Sequence, residues 1–409
     1  MKPWPGWPRL RRALALLSTL FPLLGLALAD PGIRAAASTN GDVAAAARPV
    51  PAASMAASEF VVTRPGTVLV DVATRRAVLE AMPVESRDAL CGAERSNWPT
   101  HGVQRNIAGD AQVAQTLALT MMQAGARYLA AGDPAARDAI ASNLGRFAKE
   151  TAFDRLLEPV TVNHFYNLDR TLLPIIANFA LIAGDQAVDA ANVAQISRWL
   201  DRLVRWRGPE RRMDPTRPSS RNNHRYLRDS VTMAWGAMVG DNALFFTGID
   251  RFRIALEQMR DDGSLPLETA RGANALFYQR HAISSLVVIA EIAAQQGYDL
   301  YAMQSRDGRD LHQMIRFLVR GIDDPTVVEP YTDEPQYLGF LDWRGHDRHY
   351  MAWFEPYRAR FPESPLTQML EDQIRAHGTL DQPMLDDYVG VATTCLYADP
   401  TVIDSAALQ

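Results

Sequence analysis

Two short stretches carry the residue types needed to take a proton from a carbon beside a carboxylate. The first is Ser219-Ser220-Arg221-Asn222-Asn223-His224-Arg225-Tyr226, in which an amide and a histidine open a predicted helix. The second holds Leu265-Pro266-Leu267-Glu268 and then Arg271 and Tyr278, seven residues apart. Such a C–H is too weakly acidic to react near neutrality unless the carboxylate is neutralised and the developing enolate meets fixed donors. An amide and a guanidinium supply that neutralisation. A histidine or a tyrosine takes the proton, and an acid returns one to the departing oxygen. Each residue also has an ordinary structural reading. A histidine at a helix mouth is commonly a satisfied structural residue, and an Arg–Tyr pair is commonly a surface cation and a core aromatic. The set is more specific than its members.

These residues must be held by helices. Apolar residues at a 3.6-residue period predict helices over 113–130, 135–149, 168–182, 190–206, 223–239, 243–259, 274–296, 311–320, 349–360 and 366–377. Connections such as Ala131-Gly132-Asp133-Pro134 and Asp261-Asp262-Gly263 supply the stops. Only 59–72 alternates weakly enough to suggest extended chain. About ten consecutive helices on short connections pack as antiparallel neighbours, which allows a solenoid or a ring of hairpins. No fixed-period repeat is visible. The expected fold is therefore all-α, an α/α toroid, an incomplete barrel whose axial cleft suits a long polymer. Ser219 or Ser220 is expected to cap the 223–239 helix. His224, Leu227, Val231 and Trp235 then share a stripe, and Arg271, Tyr278 and His281 share a face of the later helix.

The ends and the charge distribution narrow the class. Lys2, Arg9, Arg11 and Arg12 precede an apolar run over 13–28, and Ala27-Leu28-Ala29 offers a small-residue cleavage site, so 1–29 reads as a signal peptide. Residues 30–58 are rich in Ala, Pro, Ser and Gly and read as a disordered tether before a domain over 59–409. No later run is long and apolar enough for a membrane span. The expected location is periplasmic or secreted. Cys91 and Cys395 either form a disulfide there or stay as two buried thiols. The chain carries 42 basic and 47 acidic residues, a net −5 that becomes about −9 once four basic residues leave with the leader. Against that background, 202–228 holds nine arginines and only Glu210 and Asp214. Such a run either attracts a polyanion or is a solvated helix face. An exported acidic protein argues against nucleic acid and in favour of an acidic polysaccharide.

The motifs, in this order, resemble the alginate lyase family, the mannuronate-cleaving lyases of polysaccharide lyase family five. The resemblance rests on Asn222-Asn223-His224-Arg225-Tyr226, the Leu-Pro-x-Glu element, and Arg271 with Tyr278. It continues through Gly297-Tyr298-Asp299-Leu300, Gly321-Ile322-Asp323-Asp324 and Trp353-Phe354-Glu355-Pro356-Tyr357. It implies an α/α toroid and β-elimination without a metal or other cofactor. Asn223 and Arg271 would neutralise the C5 carboxylate. His224 would serve as base or carboxylate neutraliser, and Tyr278 would protonate the glycosidic oxygen or act as base in a syn elimination. Arg221, Tyr226, His281, Asn163, His164 and Asn167 are added as expected sugar contacts. In place of the family's Lys- and Tyr-bearing lid segment stands Arg95-Ser96-Asn97-Trp98-Pro99-Thr100-His101-Gly102, where Trp98 and His101 are the expected contacts. Gln279-Arg280-His281 departs from the family's usual His-Asn-Tyr. Rival readings are a lyase for glucuronate or another acidic exopolysaccharide, and a non-catalytic exopolysaccharide-binding protein, with exopolysaccharide secretion machinery as a partner. A glycoside hydrolase would need two carboxylates facing across the bond, and no convincing pair is present.

Overall fold

The computed structural model describes residues 48–49, 57–107, 112–156, 162–206, 216–345, 348–380 and 382–398. The expected signal peptide lies outside the described residues. Helices alternate between two layers. Gln112–Ala131, Val162–Ile182, Asn223–Val239 and Ala275–Gln295 pack against one another in sequence order. Pro134–Lys149, Ala190–Trp206, Asn242–Gln258 and Leu311–Asp323 form the outer partners. The inner Ala275–Gln295 is buried around nearly its whole circumference, as a helix between neighbours must be, whereas Leu311–Asp323 keeps one apolar stripe. This layering is the α/α toroid expected from the sequence.

Local signals set the inner helices. Asn222 caps Asn223–Val239, its side chain accepting from the His224 N–H at 3.1 Å, and Gly240 at φ +74° ends it. The expected Ser219 or Ser220 cap is corrected: Pro218–Ser220 form a 3-10 turn that delays the start of the helix. Val162–Ile182 begins six residues earlier than expected. Among the described residues there are three two-residue strand pairs: Leu385–Asp386 with Val391–Ala392 (antiparallel), and two parallel pairs, Asn106–Ile107 with Arg155–Leu156 and Arg48–Pro49 with Tyr298–Asp299. The last pair joins Arg48–Pro49 to the domain and a turn covers Ala57–Glu59; the rest of the expected tether over 30–58 lies outside the described residues. The Tyr298 hydroxyl accepts the Val61 N–H at 3.0 Å, giving the Gly297-Tyr298 motif a structural role.

Cys91 and Cys395 are bonded, closing a loop across 304 residues. The buried Arg75 guanidinium donates to the Cys395 carbonyl at 2.8 and 2.9 Å and to the Ala398 carbonyl at 2.9 Å, so this corner is held by more than the covalent link. Replacing both cysteines by serine should lower the thermal midpoint, with a loss of about 2–5 kcal/mol from a loosened unfolded-state constraint. Parallel melts of the variant and of the reduced wild type check this; unchanged midpoints would show that the bond contributes nothing.

Candidate active site

The first turns of three inner helices meet at one place. Tyr166 comes from Val162–Ile182, Asn223 and His224 from Asn223–Val239, and Tyr278 and His281 from Ala275–Gln295. The Tyr166 and His224 rings lie 4.5 Å apart, and the Tyr166 hydroxyl is 2.9 Å from His281 Nε2. Arg271 precedes the third helix, and its guanidinium lies 3.8 Å over the Tyr278 ring. That contact does not come from helical spacing as expected. Gly272 takes φ +57° and turns the chain, and a Cβ there would meet Glu334 Oε1 at 2.3 Å.

The electrostatics favour proton transfer. Burial, reinforced by the neighbouring Arg271 charge, pulls the His224 pKa down to about 4, so the imidazole is neutral near pH 7 and able to accept a proton. Its Nδ1 is buried without a hydrogen-bond partner. Asn223 is fully buried and neither its Oδ1 nor its Nδ2 has a partner, although its backbone N–H donates to Glu268 Oε1 at 2.7 Å. Buried polar groups are rarely left unpaired. An amide and an imidazole left this way, with the Arg271 charge acting on the imidazole, are arranged for an anionic guest.

A shell of aromatic rings and arginines surrounds this group. The Tyr388 hydroxyl is hydrogen-bonded to that of Tyr166, and its ring lies 4.3 Å from His281. The Arg170 Nε donates to Asp387 at 2.6 Å, while Arg344 donates to Asp386 at 2.5 Å and Asp387 at 2.8 Å. Burial raises the Asp386 pKa, whereas the Arg170 and Arg344 charges hold the buried Asp387 below the usual carboxylate range. Fully buried Arg280 lies 4.5 Å over Tyr350 and 4.8 Å over Phe277. Tyr388 was not singled out from the sequence, and Tyr166 entered only as part of the polar-aromatic run Asn163-His164-Phe165-Tyr166-Asn167. The polar first turn around Asn163 and the acidic Asp386-Asp387 step beside Tyr388 were the available signals.

The expected contacts divide. Asn163 and Arg221 are exposed, and His164 and Asn167 are buried in the first turns of their helix. His281 is corrected from sugar contact to support, since it is wholly buried and holds the Tyr166 hydroxyl. Tyr226 is corrected as well: 1% exposed, it donates to Gln258 Oε1 at 3.0 Å inside the core. His101 Nε2 pairs with Thr120 Oγ1 at 2.8 Å, and its backbone is tied to Asn143 and Arg146. Trp98 lies under the Arg95 guanidinium at 5.1 Å and lines a cavity of about 420 Å³ with Cys91, Gln123, Arg127 and Gln382. None of Asn223, His224, Arg271 and Tyr278 lines that cavity. In the arginine-rich run, 207–215 lie outside the described residues. Arg205 pairs with Asp201 and Asp241 and Arg225 with Asp229; Arg202, Arg205, Arg217 and Arg221 are exposed.

A toroid of paired helices, with an amide, an imidazole, a guanidinium and a phenol brought to the ends of its inner helices, is the architecture of a polysaccharide lyase. The chain belongs to the alginate lyase family. The alginate lyase family model matches residues 165–328. A polysaccharide lyase of Stenotrophomonas maltophilia is 32% identical over 263 residues, which cover 63% of this chain and 72% of that protein. An alginate lyase of Pseudomonas aeruginosa is 33% identical over 150 residues, 37% of this chain and 38% of that protein. Alginate lyase A1-III from Sphingomonas species A1 superposes with a TM-score of 0.70 at 26% identity, covering 85% of this chain and 100% of that one. A histidine-to-alanine variant of A1-III complexed with a tetrasaccharide gives 0.71 at 25% identity, covering 85% of this chain and 99% of that one.

Proposed function

We propose that the protein is exported and cleaves a uronate-containing polysaccharide, with mannuronate-rich alginate the default substrate, by β-elimination that uses only its own side chains. The observation that carries this reading is the Arg271 guanidinium, which lies across Tyr278 while its charge acts on His224, beside the unpartnered Asn223 amide. Asn223 Nδ2 and Arg271 take the C5 carboxylate of the bound sugar. With its charge offset, the C5 proton passes to a base, the electron pair forms the C4=C5 double bond, and the C4–O bond breaks. Tyr278 gives its proton to the departing oxygen. Where hydrogen and leaving group lie on opposite faces, neutral His224 is the base; where they share a face, Tyr278 in its deprotonated form takes the proton and then returns it to O4. The relative complexed with a tetrasaccharide supports an oligosaccharide-sized cleft.

The test is incubation with polymannuronate, polyguluronate, glucuronate polymers and a neutral glucan. An unsaturated uronate end, conjugated with its carboxylate, absorbs in the ultraviolet and is expected from polymannuronate. Reducing ends without that absorbance would indicate hydrolysis and overturn the reading; absorbance only from a glucuronate polymer would move the substrate assignment.

A further inference from the structure

The Leu265-Pro266-Leu267-Glu268 element takes no part in the elimination outlined above, yet its carboxyl lies against the catalytic helix. Glu268 belongs to the short helix Pro266–Thr269, is wholly buried, and accepts the Asn223 N–H on Oε1 at 2.7 Å. Its Oε2 is also buried and has no hydrogen-bond partner. Asn223, one residue before His224, is in the same condition at both side-chain amide atoms. From the Asn223–Val239 helix, Asn223 and Tyr226 face Glu268. The Tyr226 phenol is pushed up by burial and by the Glu268 charge. From the same segment as Glu268 comes Arg271, whose charge acts on it. From Asn242–Gln258 comes Arg251, 6.0 Å over the Tyr226 ring but committed to Asp229 at 2.7 Å.

We propose that Glu268 is a positioning residue for the elimination, holding the Asn223 end of the catalytic helix and working in its neutral, protonated form. The proposal rests on the lyase reading above. An ionised Glu268 would set a second buried negative charge behind the residues that must accept the substrate carboxylate, and like charges in a buried site oppose one another strongly. Burial favours the neutral form, raising the pKa to about 8 against the Asn223 hydrogen bond and the Arg271 charge. A neutral carboxyl or amide still accepts the Asn223 N–H; a methyl group does not.

The experiment measures kcat and KM from pH 6 to pH 10 for wild type, Glu268→Gln and Glu268→Ala on the best polymer, with thermal melts of each. Glu268→Ala should lose about 10²-fold in kcat with the Asn223 end displaced. Glu268→Gln keeps the acceptor but cannot ionise. It should restore most of that loss at pH 7 and abolish the alkaline fall in kcat/KM expected of the wild type as pH rises through about 8. Folding stability gives a second readout. The folded state holds the Glu268 proton more tightly than the unfolded chain. The contribution is therefore complete below about 4.5 and lost as pH rises through 8, and it should vanish in Glu268→Gln. A folded Glu268→Ala with wild-type kcat, or a Glu268→Gln variant with an unchanged alkaline limb, overturns the proposal. If Glu268→Ala does not fold, the Glu268→Gln pH profile decides alone. A wild type that makes no unsaturated product from any polymer defeats the lyase reading and this inference together, a result distinct from failure of the variants alone.

Discussion

Tyr278→Phe is expected to cut kcat by about 10²–10⁴-fold, the usual worth of a positioned proton-transfer group, while KM for the polymer changes little. The substitution removes one oxygen. The ring stays between Phe277, 5.2 Å away edge-on, and the Arg271 guanidinium at 3.8 Å. Arg271 is therefore still held where it meets the carboxylate, and ground-state binding survives. What disappears is the proton for the departing oxygen, together with the base in the same-face case. A loss in kcat and kcat/KM of equal size marks an interaction made only in the transition state. Lys149→Ala serves as the control, because Lys149 is exposed at the end of Pro134–Lys149, an outer-layer helix away from the three first turns. Steady-state kinetics followed by ultraviolet absorbance, with the tetrasaccharide-binding affinity of the inactive protein measured separately, check the claim. A Tyr278→Phe protein turning over at the wild-type rate would remove Tyr278 from the mechanism, and a large rise in KM with kcat intact would make it a binding residue only.

The parts of the molecule legible in the sequence were those governed by local rules. The 223–239 helix was bounded correctly by its periodic apolar face and by Gly240, and Leu227, Val231 and Trp235 are indeed buried on one stripe. Ala190–Trp206 was likewise clear from its strong amphipathic pattern. Errors came where tertiary contacts override local signals. The first turn of Val162–Ile182 is polar and aromatic because it points toward the site, and it therefore read as loop. The helix expected over 349–360 starts only at Phe354, since His349 is tied back to the Leu341 carbonyl at 3.0 Å and accepts the Met351 N–H at 3.0 Å. Val72–Glu80 was missed despite a legible cap, the Asp71 carboxylate accepting from the Thr74 N–H at 2.8 Å, because its apolar face is thin.

The candidate site was legible for a different reason. Asn223, His224, Arg271 and Tyr278 came from the order of motifs, not from any property of the residues taken singly. The structure shows why single-residue reasoning fails here. Tyr226 and His281 lie at helical spacings as favourable as those of His224 and Tyr278, yet one is satisfied by Gln258 and the other supports Tyr166. Whether a polar residue on an inner helix faces guest or core is decided by what the neighbouring helix places opposite it. Tyr166 and Tyr388, 222 residues apart, meet only because the chain returns to the barrel mouth after the last long helix. No spacing rule reaches that far.

His224→Ala should reduce kcat by about 10²–10⁴-fold on a polymer whose C5 hydrogen and leaving group lie on opposite faces. The loss should be smaller on one where they share a face and Tyr278 can act as base. Comparing polymannuronate with polyguluronate therefore separates the two roles of the histidine, and an equal loss on both would assign it to carboxylate neutralisation. The pH dependence follows from its surroundings. Desolvation and then the Arg271 charge depress the His224 pKa to about 4 in the folded protein, against 6.5 when free. The unfolded chain therefore binds this proton first as pH falls, so the stability contributed by a neutral His224 is complete above 6.5 and lost as pH drops through 4. NMR titration of the imidazole should place its midpoint near 4 in the free enzyme, and Arg271→Ala should move it upward, by less than the shift from burial because desolvation remains. A midpoint at the ordinary histidine value would mean that water reaches the ring freely. The dry, positively biased site on which the proposed elimination depends would then be absent.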